Sequence, residues 1–213
     1  MTAEGDNRVL MIKIVKDMMS NIASKKSQLP KMTLCPKNQL PHLMDILQLD
    51  ILLNLHKYRE LTLFRKLTTT LEKRTKQDKA NPFEVLMFEV SDLVQSLAQA
   101  YGERQALDFC IQQLSDVKCP VAKRNFETLF KLYAAENIVR DLGFYISEGV
   151  LSQTAGASVT SSISGLVKDI AKSCGDILDS LNVPTHALHT PIIGDYVKYN
   201  EKPHYGEVID AKL

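Results

Sequence analysis

Glu4 is followed by Gly5 and Asp6, and then by an apolar-rich run from Val9 to Ile22. A carboxylate on a tight glycine turn, just ahead of a helix start, is a group placed to take a proton. Asp6 or Asn7 carries a side chain suited to capping that helix. The positive end of the helix dipole favours an ionised carboxylate, which is the state a general base needs. Gly5 lets the backbone turn tightly and a flat ligand come close. The other reactive side chains form no such arrangement. His186 and His189 are three apart with Asp195 nearby, but prolines flank them and no further ligand stands at a standard spacing, so no metal site is expected. His56 sits in an apolar-rich helix and reads as a hydrogen-bonded interior residue. Cys35, Cys110, Cys119 and Cys174 are widely spaced, with no CxxC, and read as free, buried thiols. Gly143, Gly149 and Gly156 fit no phosphate-loop spacing.

The elements that must position these residues are helical almost throughout. A first helix is expected from about Asn7 to Ser24, followed by a loop broken by Pro30, Pro36 and Pro41. A second should run from about Leu43 to Lys76. Its first half is apolar on every side and should be buried. Its second half keeps a stripe of Phe64, Leu67 and Leu71 among charges. Asn81 as N-cap and Pro82 at the first turn open a third helix, with Leu86, Val90, Leu93, Leu97 and Tyr101 inward and the pattern running on through Leu114. A fourth starts near Pro120, with Phe126, Leu129, Phe130 and Tyr133 inward, a break around Gly143 and an end near Gly149. Ser152 to Ser164 is rich in small and hydroxyl residues and should start as a loop. The last helix carries Val159, Ile163, Leu166, Ile170, Cys174, Ile177 and Leu181 in steps of four and three. After Asn182 the prolines, glycines and polar residues give an extended tail. The fold class is therefore all-α: an antiparallel helix bundle with an extended C-terminal tail.

The 213 residues are 45% hydrophobic and 24% charged, enough for a real core, and the net charge of +1 gives no field directed at nucleic acid or membrane. No signal peptide is expected, and Leu43 to Leu55, the most apolar stretch, is interrupted by Asp45, Gln48, Asp50 and Asn54, so no membrane span is expected either. Lys57 to Lys79 is the basic part of the chain. It reads as the solvated face of a long helix, or as a surface for the phosphates of a ligand or for an acidic partner.

Thr2-Ala3-Glu4-Gly5-Asp6-Asn7 resembles the catalytic-base segment of the acyl-CoA oxidases, in the acyl-CoA dehydrogenase superfamily. Asn81-Pro82-Phe83, Arg140-Asp141-Leu142-Gly143-Phe144-Tyr145-Ile146, and the stretch from Asn182 to Asn200 resemble later segments of the same family, in order. The resemblance implies the C-terminal helical domains of an FAD-dependent enzyme that desaturates acyl-CoA and passes electrons to oxygen, giving hydrogen peroxide. Glu4 then matches the base, and its backbone N–H a donor to the thioester carbonyl. Gly5 and Asp6 would lie near the flavin. The N-terminal helical domain and β-domain of such enzymes have no counterpart here, so the chain reads as a portion or short isoform, inactive alone. Its alternative is a non-catalytic helical module that pairs with a full-length subunit, or the chain forms a homodimer. Ala211-Lys212-Leu213 at the C-terminus resembles the tripeptide read by the peroxisomal import receptor, which implies a peroxisomal protein. The expected division is residues 1–28 for the base turn and first helix, 29–182 for the bundle, and 183–213 for the tail with its address.

Overall fold

The computed structural model describes residues 7–32, 46–184 and 194–201, and all regular structure among them is helical. The compact units are Met1–Ala171 and Lys172–Leu213. In the first, α1 (Asn7–Ala23) packs on α4 (Ser91–Gln113). The long helix α2 (Leu49–Glu72) packs on both α4 and α5 (Pro120–Arg140), and α5 packs on α7 (Gln153–Ala171).

Helix α2 is the spine of this unit, because its sequence is apolar on two sides at its two ends. Leu52, Leu53 and Leu55 enter a core with Leu107, Ala134, Ala135, Ile138, Tyr145 and Val159. Leu63, Phe64, Leu67 and Leu71 enter another with Val15, Met18, Val85, Val94 and Leu97. Each fully buried leucine of these cores contributes about 1.5–3 kcal/mol of burial relative to exposure. Between the two cores α2 presents His56, Arg59 and Glu60, all buried.

Several expectations are corrected. The third helix is not continuous. Pro82–Glu84 (α3) leads into a π-helical turn, Val85–Glu89, and Val90 (φ −124°, ψ 22°) breaks the path before α4. The wide turn still puts Val85 and Leu86 in the core. Helix α5 buries Ala134, Ala135, Asn137 and Ile138. Phe126 and Tyr133 are exposed, while Leu129 and Phe130 of the same expected face are half-buried. The segment after Ser152 is helical from Gln153, since the Ser152 hydroxyl accepts the Ala155 N–H at 3.1 Å and caps the helix. Small residues there serve packing: a Cβ on Gly156 would lie 2.8 Å from Leu142 Cδ1. The last helix is in two pieces, α7 and α8 (Cys174–Ser180), parted at Ser173 (φ −115°, ψ 14°). The break expected near Gly143 falls at Asp141, and α6 (Leu142–Ser147) ends before Gly149 at φ +65°, a turn that glycine alone takes without strain.

In the second unit, Asp195 Oδ1 accepts the Lys198 N–H at 3.0 Å and caps a short helix, α9 (Tyr196–Asn200), where an extended tail is expected. Cys119 and Cys174 are exposed and Cys110 half-buried, all three free, so these three thiols are not buried as expected, and Cys35 lies outside the described residues. Cys119 and Cys174 stand at helix starts, outside the packed faces.

Candidate functional site

The charged layer between the two cores is the most organised polar feature of the described residues. Arg104 of α4 donates from Nε to Glu60 Oε2 at 2.6 Å and from Nη2 to Glu60 Oε1 at 3.0 Å. Glu60 is 0% exposed and Arg104 6%. Beside it, Arg59 donates from Nη1 to Glu103 Oε2 at 2.7 Å, and its Nη2 pairs with Asp141. Glu103 Oε1 also accepts from Arg140 Nη1 at 3.1 Å and Gln99 Nε2 at 2.8 Å. Adjacent residues on α2 thus grip adjacent residues on α4. Burial pushes the Glu60 carboxyl above its ordinary value, and the Arg104 hydrogen bonds pull it back. The two parallel N–H···O bonds give the buried carboxyl a partner for each oxygen.

His56 is 2% exposed, and its Nδ1 donates to Leu52 O at 2.8 Å. That bond fixes the neutral tautomer with the proton on Nδ1. Nε2 is buried with no hydrogen-bond partner. Burial is the main cause that lowers the ring's affinity for a second proton, with Arg59 adding to it against the Leu52 bond and Glu103. The interior reading of His56 therefore holds.

The stretch Arg140 to Ile146 closes the layer from the far side. Arg140 and Asp141 hold Glu103 and Arg59. The Tyr145 hydroxyl donates to Leu55 O at 3.4 Å, and burial pushes that phenol well above its ordinary range. Phe144 meets Tyr145 edge-on at 5.3 Å, beneath Lys66, which pairs with Glu148 at 2.6 Å. The segment is a clasp on α2. The basic stretch from Lys57 is accordingly not all a solvated face: Arg59 belongs to the interior, and Arg74 is held by Glu89 at 2.6 and 2.8 Å and by Asp78 at 2.8 Å.

A cleft of about 490 Å³ opens over the Glu60–Arg104 pair, walled by Met18 and Ile22 of α1, Leu29, Lys57 of α2, and Tyr101 and Asp108 of α4. It has the volume of a ligand pocket. Its buried charges are committed to each other, though, and no glycine turn borders it. Among the described residues it offers no cradle for a flavin dinucleotide. No group of three or more His, Cys, Asp or Glu able to hold a metal occurs among the described residues, and no helix there is long and apolar enough to cross a membrane.

Glu4, Gly5 and Asp6 lie outside the described residues, as do Ala211, Lys212 and Leu213, and His186 with His189. What the structure supplies next to the first group is α1, from Asn7. The sequence reading missed the pairs Arg59–Glu103 and Glu60–Arg104. Their signal was present: Arg59 stands seven residues after Leu52, and Glu60 four before Phe64, so both fall on the apolar stripes of α2.

The fold is shared with the crystal structure of acyl-CoA oxidase 1 from Yarrowia lipolytica, with a TM-score of 0.79 at 17% identity. The match covers 98% of this chain and 33% of that one, so the chain spans about a third of the solved oxidase. No curated protein matches the sequence. The acyl-CoA oxidase family model matches residues 48–196, which include the whole charged layer and its clasp. The chain belongs to the acyl-CoA oxidase family.

Proposed function

We propose that this chain is the C-terminal helical portion of an FAD-dependent acyl-CoA oxidase of fatty acid β-oxidation, with Glu4 as the base that removes the α-proton of the acyl-CoA. The observation that carries the reading is the family match over residues 48–196, with Glu4 and Gly5 standing in the sequence just ahead of α1. In the complete enzyme FAD supplies the hydride acceptor, and oxygen restores it with release of hydrogen peroxide. The described residues form no cradle for that group. Its contacts would come from Gly5 and Asp6 and from parts of the enzyme beyond this chain, and the chain by itself would be inactive. Glu4 would take the proton as a carboxylate, and its N–H would hold the thioester oxygen as negative charge develops. Ala211-Lys212-Leu213 would address the protein to the peroxisome through its import receptor. The parts would divide at residues 1–28, 29–182 and 183–213. The test is Glu4→Gln in the complete protein: turnover of acyl-CoA is abolished while flavin content and helical signal stay. Substantial residual turnover would sink the role of Glu4.

A second reading is a non-catalytic module that pairs with a full-length oxidase subunit or with its own copy. It is favoured by α7, where Ile163, Leu166 and Ile170 are half-buried and Val167 is 48% exposed. Charged residues at Val167 and Ile170 should then abolish co-purification with the long form. Recovery of the unaltered chain only as a monomer beside the long form would count against it.

A further inference from the structure

The cleft over the Glu60–Arg104 pair has two unlike walls. Met18 and Ile22 of α1, with Leu29 beyond that helix, make one side apolar. Tyr101, Arg104 and Asp108 stand three and four residues apart on α4, so they share one face and make the other side polar. The charged lining is balanced: Lys31, Lys57 and Arg104 stand against Asp17, Glu60 and Asp108. Three charges of each sign set up no net field for an anion such as phosphate, or for a cation. The volume of about 490 Å³ is that of a small-molecule site.

Hydrogen bonds are left unmade in the polar wall. Glu60 takes an N–H from Arg104 Nε and one from Nη2, two of the five that a guanidinium carries. Arg104 Nη1 lies 3.8 Å from Asp108 Oδ2, too far for a hydrogen bond. Gln112 Nε2 donates at 3.2 Å to the other oxygen, Oδ1. Among the described residues nothing else accepts from Nη1 or donates to Oδ2. The Tyr101 ring lies 5.4 Å from the guanidinium carbon and helps hold that donor edge in place. Gln105 Nε2 donates to the Tyr101 oxygen at 3.2 Å, which leaves the phenol's own proton for another acceptor. The wall is thus set before any ligand arrives, which lowers the cost of binding.

The gap between Nη1 and Oδ2 selects a chemistry. An oxygen about 2.8 Å from each atom spans it, if that oxygen accepts from Arg104 and donates to Asp108. A hydroxyl does both. A carboxylate or phosphate oxygen only accepts and would meet the Asp108 charge, while an ammonium only donates and would meet Arg104.

From this we infer that the cleft binds a neutral polyhydroxylated ring, a sugar or cyclitol. One hydroxyl bridges Arg104 and Asp108, another accepts from Tyr101, and the C–H face of the ring lies toward Met18 and Ile22. The site is independent of Glu4 and of the reaction proposed for it. Proton–nitrogen correlation NMR of this chain tests it, by titration with methyl glucoside, ribose and myo-inositol. Saturable shifts of the Tyr101, Gln105 and Asp108 amides are expected with at least one of the three, at a Kd of about 1 mM. Asp108→Ala should raise that Kd about tenfold or more and Tyr101→Phe about threefold, both with the parent's circular dichroism. Inorganic phosphate and tetramethylammonium should leave the same amides unshifted. No saturable shift with any of the three polyols at about 50 mM overturns the inference. Saturable phosphate binding at these amides overturns it too, as does a folded Asp108→Ala chain that binds the polyol as tightly as the parent.

Discussion

Removing one partner of the Glu60–Arg104 pair should be among the most damaging changes to this fold. Glu60→Gln keeps the shape but leaves a guanidinium that is 6% exposed with Asp108, 3.8 Å away, as its remaining counter-charge. Breaking a buried pair costs about 3–5 kcal/mol, and with Asp108 still near, the lower end of about 3 kcal/mol is expected, which for a chain of this length lowers Tm by about 6–12 °C. Arg104→Met should cost less, because the abandoned carboxyl can neutralise itself by taking a proton, which a guanidinium cannot. Its folded-state affinity for that proton would be raised, so the variant is most stable below the unfolded-state value and loses stability as pH rises past it. Replacing both, as Glu60→Leu with Arg104→Met, should return the protein to within about 1 kcal/mol of the parent or above it, since a packed apolar pair needs no desolvation of charge. Urea unfolding followed by far-UV circular dichroism measures all four proteins as a double-mutant cycle. A loss below about 1 kcal/mol for Glu60→Gln, the range of an exposed pair, would refute the reasoning. A double variant as unstable as the sum of the singles would refute it equally.

The buried His56 should make stability pH-dependent. Its folded-state affinity for a proton is lowered, so the unfolded chain protonates first, and stability present above pH 6.5 is lost as pH falls below it. His56→Leu should flatten the urea midpoint between pH 7 and pH 5 relative to the parent. Gly102 and Gly165 lie inside α4 and α7 with open space where a Cβ would go. Alanine at either should raise stability by about 0.5–1 kcal/mol, while Gly156→Val, driven into Leu142, should lower it by about 1–3 kcal/mol, both read from thermal melts. Native-state alkylation followed by peptide mass spectrometry should label Cys119 and Cys174 ahead of the half-buried Cys110. Equal rates at all three would contradict the packing of α4.

The helical class of this chain was legible because it depends on local signals. Asn81-Pro82 starts a helix wherever it occurs, since the cap and the missing N–H act within one turn. The burial of Leu52, Leu53 and Leu55 followed from an apolar run with no polar side to face water. The path of the third helix was not legible. The π-helical turn at Val85–Glu89 exists so that Val85 and Leu86 reach a core formed with α1 and α2, a demand that no window of local sequence contains. The inward face of α5 was misjudged for a related reason. Phe126 is apolar enough to be buried, but whether it is depends on how far its neighbours extend. The charged layer shows the division most sharply. Arg59, Glu60, Glu103 and Arg104 read as surface charges one by one, because charge is costly to bury alone. Only the crossing of α2 and α4 brings the two pairs together across 44 residues of sequence, and only that pairing makes their burial tolerable. Glu4 is the opposite case: its reading as a base rests on six residues of sequence, which lie outside the described residues.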